Sequence, residues 1–245
     1  MKKSIFIILA FTIFCLTSCN NGQEKNYFEK FEYHNSFSYN PKDNVINFDY
    51  VFFLPSKEMN STVAKAIKDS VFKDLYFENI DFTVDNYKDV IDQYIKIFVD
   101  TTFKTDDIYL TDFDYEYYFF KADSLYFLNE EIIGKNFYTE YYTGGAHGMY
   151  SYYYTYFDAN TGIVYDYNNV FREKEKVLDL INKRLNKMGI SDSYDIVPQF
   201  ELKPDTMVFV NNTYAQIWED VPFAFEEIKE YMNNNTPIYK YFNKK

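Results

Sequence analysis

The strongest constraint on this chain is the way the period of its hydrophobic pattern changes along its length. Phe31, Tyr33, Phe37 and Tyr39 share one parity, and Ile46, Phe48, Tyr50, Phe52 and Leu54 alternate again after Asn40 and Pro41. A period of two with a turn between the runs predicts a β-hairpin. Beyond Pro55 the period lengthens: Val63, Ile67, Val71 and Leu75 recur every fourth residue behind Ser61, a helix-capping residue type. A second helix is expected where Tyr87, Val90, Ile91, Tyr94, Ile95 and Phe98 fall on one face and Lys88, Asp89, Asp92 and Lys96 on the other, with Asp85 or Asn86 as its cap.

Strand patterning returns with Phe113, Tyr115, Tyr117 and Phe119, continues through Leu125 to Leu128, and resumes from Phe137 to Tyr142. Val177, Leu178, Ile181 and Leu185 mark a third helix that stops near Gly189. Met207 to Val210 and Val221 to Phe225 read as further strands, and Glu226 to Met232 as a short closing helix. The fold class is therefore α+β: an antiparallel β-sheet with about three helices packed on one side. With no Gly/Ser spacer between them, residues 27–135 and 136–245 are expected as two tightly joined subdomains.

The start of the chain follows another logic. Lys2 and Lys3 precede an almost wholly apolar run from Ile5 to Leu16, and Leu16, Thr17, Ser18 and Cys19 form a lipobox. The run is shorter than the roughly 20 residues of a permanent bilayer-spanning helix. Residues 1–18 read as a lipoprotein signal peptide, Cys19 as the lipid-anchored residue of the mature chain, and 19–30 as a polar tether. Cys15 leaves with the signal, so no disulfide framework is expected. Losing Lys2 and Lys3 takes the formal net charge from −12 to −14. Such a surface repels nucleic acid and anionic lipid and favours a basic partner. The expected location is the cell envelope, with the protein held to a bacterial membrane by its lipid.

Of only seven glycines, Gly144, Gly145 and Gly148 stand together between strand patterns. Glycine is concentrated where a backbone must bend or where something approaches closely. After it, Tyr150, Tyr152, Tyr154 and Tyr156 line one face of a strand. A ring with a polar tip suits a wet binding surface as well as a core edge. Gly144, Gly145, His147, Gly148, Tyr150, Tyr152 and Tyr154 are the candidate ligand-binding residues, with packing of an edge strand as the alternative.

The run GGAH at 144–147, then Phe157 and Asp158, Thr161 and Gly162, and Val170 and Phe171 before an amphipathic helix, resembles the extracytoplasmic domain of RsiV-like proteins. The resemblance spans roughly 136–232, and residues 27–135 look like the region that precedes it in RsiV-like and PdaC-like envelope proteins. It implies an outer domain that recognises lysozyme, or one joined to a peptidoglycan deacetylase. The residues here include neither a sigma-binding segment nor a deacetylase domain. NNTYAQIWEDVPF at 211–223 stands where the family has a tyrosine-rich pattern ending in a proline and a tyrosine.

Catalytic readings are weaker. His147 is one of only two histidines, and no nucleophile elbow marks Ser151. A zinc site would have to gather His34, His147 and carboxylates from distant places. Asp158, Asn160 and Gly162 loosely match a calcium loop, but the glycine is one place early and Asn169 stands where the terminal glutamate belongs. A turn with glycine at positive φ explains them better. Asp112, Asp114 and Glu116 alternate as a cation site or a solvated strand face would. No catalytic residue, metal or cofactor is expected. The leading expectation is a non-catalytic, lipid-anchored envelope protein that binds a basic protein such as a lysozyme-like hydrolase. A glycan or peptidoglycan binder is the alternative, and a hydrolase using His147 the third reading.

Overall fold

The computed structural model describes residues 26–38, 45–75, 87–102, 117–142, 148–189, 198–210 and 220–243. Strands β1 (Phe28–Ser38) and β2 (Val45–Pro55) form the expected antiparallel hairpin, with Tyr33 opposite Tyr50. Helices α1 (Ser61–Asp74) and α2 (Tyr87–Thr102) follow. Strand β3 (Tyr117–Asn129) then lies parallel to β2, with Phe48 opposite Phe119. This pair corrects the expectation of a wholly antiparallel sheet. Two helices between the strands return the chain to the end where β2 began, which is what a parallel neighbour requires. Strands β4 (Ile132–Tyr142), β5 (Met149–Asp158) and β6 (Val164–Tyr165) complete a six-stranded sheet in sequential order, antiparallel from β3 onward.

Local chemistry explains the helix positions. Asn60, one residue before Ser61, caps α1, its side-chain oxygen accepting from the Thr62 and Val63 amides at 2.9 and 3.4 Å. The helix buries Val63, Ile67, Val71 and Phe72, and α2 buries Ile91, Ile95 and Val99, all against β1 and β2 residues such as Phe31, Phe48 and Phe52. Asp92 lies off the solvated face expected for it: it accepts hydrogen bonds from Tyr33 at 2.5 Å and Asn35 at 2.7 Å, tying α2 to β1.

Three charged side chains lie inside this first core. Lys135 is fully buried, donates to Ser70 at 2.5 Å and pairs with Asp74, both on α1. Buried Asp123 accepts from the Phe53 amide at 2.8 Å. Buried Lys121 places its ammonium 5.4 Å from the Tyr50 ring centroid.

The rest of the chain builds a second core on the opposite face of the sheet. Successive strand residues point to opposite faces, and accordingly Phe157 belongs to the first core while Tyr156 belongs to the second. This core is built from α3 (Tyr167–Val170), α4 (Lys174–Lys187), strands β7 (Gln199–Leu202), β8 (Thr206–Val210) and β9 (Val221–Ala224), α5 (Phe225–Ile228) and α6 (Pro237–Asn243). The three strands form their own antiparallel sheet. Arg184 of α4 lies over the Phe223 ring at 4.0 Å and bonds Glu227 at 2.5 Å, clamping α4 to β9 and α5.

The α+β class thus stands, with two further corrections. There are two sheets, and helices lie on both faces of the larger one rather than on one side. Strand β7 and helix α6 escaped the periodicity because each is too short to show one. Among the described residues, no helix is long and apolar enough to cross a membrane.

Candidate functional site

The second core covers only part of the sheet face it occupies, and β5 shows where it stops. Tyr156 is 1% exposed, stacks on Phe200 at 5.6 Å and accepts a hydrogen bond from the Leu202 amide at 2.7 Å. Tyr154 is half-buried, its amide reaching Gln199 at 3.4 Å. Tyr152 and Tyr150 are 41% and 44% exposed. The four tyrosines share one face, as the alternation predicts, but run from open surface to core along a single strand.

Strand register places neighbours beside the open end. One row across the sheet runs His34, Asp49, Phe120, Glu140 and Tyr150, and the next carries Val51, Ala122, Tyr138 and Tyr152. On the same face, in the row beyond Glu140, Tyr118 and Tyr142 form a cross-strand pair, their rings 6.1 Å apart and stacked. Tyr138 packs on Tyr152 at 4.7 Å and on Phe120 at 5.8 Å. In the middle stands one carboxylate. Glu140 accepts hydrogen bonds from the Tyr118 hydroxyl at 2.5 Å through Oε1 and from the Tyr138 hydroxyl at 2.6 Å through Oε2.

Burial pushes the Tyr118 phenol up to about 12, with Glu140 adding to the rise; the same two causes raise Tyr138. Tyr152 is raised by burial and then by the Glu140 charge. Both hydroxyls that bond Glu140 therefore stay protonated, and the carboxylate is held in place by two donors. Among the described residues of the six strands, basic side chains on this face occur only on β1, where Lys30 pairs with Glu32 and His34 with Asp49.

Of the candidate residues, Gly148 has a clear role. A side-chain carbon there would come within 3.2 Å of the Tyr118 hydroxyl and 3.3 Å of the Tyr141 carbonyl oxygen, so the glycine makes room for the Tyr118–Glu140 contact. Gly144, Gly145 and His147, the Asp112 to Glu116 pattern and Cys19 lie outside the described residues. Glu140, Tyr118 and Tyr138 were missed as site residues. Each sat in a segment read as strand, but nothing local shows that β3 and β4 pair in the register that joins them.

The Asp158 turn is structural. Asp158 accepts from the Asn160 and Thr161 amides at 2.9 and 2.8 Å and from the Tyr165 hydroxyl at 2.8 Å. Burial pushes its carboxyl upward, but these bonds outweigh that and leave it below the ordinary aspartate value. Gly162 takes φ +74°, as a turn glycine should. Among the described residues, no three His, Cys, Asp or Glu side chains converge as a metal site would need.

This architecture has solved counterparts. A crystal structure of a DUF3298 family member from Bacteroides fragilis superposes with TM-score 0.69 at 16% identity, over 89% of this chain and 97% of that one. A DUF3298 family protein from Pseudomonas aeruginosa gives TM-score 0.58 at 9% identity, over 86% and 95%. The chain shares their fold. At such identities the likeness speaks for architecture alone. No family model and no curated protein matches the sequence.

Proposed function

We propose that this chain is a non-catalytic, lipid-anchored protein of the bacterial cell envelope that binds a basic protein ligand, of the lysozyme-like hydrolase class, on the open face of β3, β4 and β5. The observation that carries the reading is the half-exposed tyrosine patch around Glu140, on a chain of formal net charge −12. Protein interfaces favour tyrosine at their centres, and an acidic chain steers a basic partner toward it. The RsiV-like pattern at 144–171 and the lipobox ending at Cys19 support the ligand class and the anchor.

Calorimetry of the full chain in detergent with a lysozyme tests the proposal. Binding is expected to weaken as salt rises, because the Debye length shrinks from about 10 Å at 0.1 M to about 3 Å at 1 M. The variant Tyr150→Ala/Tyr152→Ala should lose most of the affinity. Absence of binding heat with lysozyme, paired with cosedimentation on purified sacculi, would replace this reading with the glycan one.

A further inference from the structure

We infer that Glu140, with the rings of Tyr138 and Tyr152 beside it, is the seat of a guanidinium or ammonium side chain presented by the protein ligand. The inference rests on the binding reading above and names the chemistry at its centre.

Glu140 has acceptor capacity beyond its two bonds. An ionised carboxylate offers about four acceptor sites, and the Tyr118 and Tyr138 hydroxyls engage one on each oxygen. Those two bonds fix the carboxylate in orientation without exhausting it. A cation arriving from solvent would meet an acceptor already aimed, so little side-chain freedom is lost on binding.

Charge and shape agree on the occupant. Within the six strands the described basic groups on this face stand at the β1 edge and are engaged by acids, and the hydroxyls that bond Glu140 are neutral, so the centre of the patch keeps the Glu140 charge. Tyr138 and Tyr152 pack 4.7 Å apart with 39° between their planes, and Tyr152 remains 41% exposed. Aromatic faces attract cations, and a planar guanidinium both stacks on a ring and donates in a fork to a carboxylate. A neutral sugar could donate its hydroxyls to the carboxylate but would bring no opposite charge to it.

The test uses two small probes on the full chain in detergent: N-acetyl-arginine amide and its neutral isostere, N-acetyl-citrulline amide, followed by NMR of labelled tyrosine rings. Arginine should shift the Tyr138 and Tyr152 signals saturably and bind about tenfold more tightly than citrulline, as a charge-assisted bond implies. Glu140→Gln should abolish that preference, with Tyr152→Leu weakening arginine through loss of the ring face. If the Gln variant does not fold, Glu140→Asp, which keeps the charge but withdraws it by one methylene, should still reduce the preference.

Equal binding of the two probes, or an arginine preference that survives in the Gln variant, would overturn the seat. Lysozyme binding that persists undiminished in Glu140→Gln would remove the seat and leave the protein-ligand reading intact. A Glu140-dependent arginine site on a chain that binds no basic protein would keep the seat and remove that reading.

Discussion

Lys135 on β4 carries its ammonium wholly inside the first core, where it pairs with Asp74 in the last turn of α1. The pair is asymmetric, because the Asp74 side chain keeps 25% of its surface in solvent. Removing the exposed partner strands a buried charge, while removing the buried one leaves a carboxylate that water can reach. Asp74→Ala should therefore cost about 3–5 kcal/mol, and Lys135→Met clearly less. Urea denaturation of the two variants checks the order; equal losses would show that the carboxylate is not the group holding the ammonium inside.

Two further charges in that core make stability depend on pH. Burial pushes Asp123 up to about 7, against the opposing effects of the Phe53 amide and Lys135, and burial pushes Lys121 down to about 7, against Asp74. Between the unfolded aspartate value and 7, the native chain holds a proton that the unfolded chain has released, so stability falls as pH rises. Between 7 and the unfolded lysine value the unfolded chain holds the extra proton, so stability rises. These two groups place a local minimum near neutrality, with a limiting slope of about 1.4 kcal/mol per pH unit for each. Asp123→Asn should flatten the acid limb and Lys121→Met the alkaline limb in denaturation curves taken from pH 4 to 10.

Gly134 on β4 lies beneath the Tyr126 ring. A side-chain carbon there would stand 2.5 Å from the ring, whose hydroxyl is tethered to Asn136 at 3.1 Å. Gly134→Ala should destabilise by about 1–3 kcal/mol through overpacking. In a Tyr126→Leu background, which clears the ring away, the added loss should shrink to a fraction of that. Thermal melts of the double-mutant cycle measure the coupling.

Gly162 joins the β5–β6 turn to the start of α1. Its φ of +74° is strained for any residue with a side chain, and an added carbon would lie 3.1 Å from the Thr62 carbonyl oxygen. Gly162→Ala should cost about 1–2 kcal/mol from the backbone conformation, with the helix contact adding to it. Hydrogen exchange in the first turn of α1 should quicken in the variant; unchanged protection there would show that the turn and the helix are not coupled.

The elements were largely legible because their signals are local. The alternation at Ile46 to Leu54 and the four-residue repeat at Val63 to Leu75 each reflect one backbone geometry acting within a single segment. The candidate site was legible in part. Tyr150, Tyr152 and Tyr154 did share a strand face beside Gly148, but their neighbours on β3 and β4 carried no mark of their own.

From its order of residues alone, this chain specified an α+β class, its first hairpin, the apolar faces of α1, α2 and α4, and the turn at Gly162, because periodicity and backbone preference act over a few residues. Three-dimensional packing settled the rest: the parallel pairing of β2 with β3, the closure of Tyr118 and Tyr138 on Glu140, and the point between Tyr152 and Tyr156 where the second core ends. Those features depend on which distant segments meet and in what register. A tyrosine reads the same in sequence whether another layer covers it or water does.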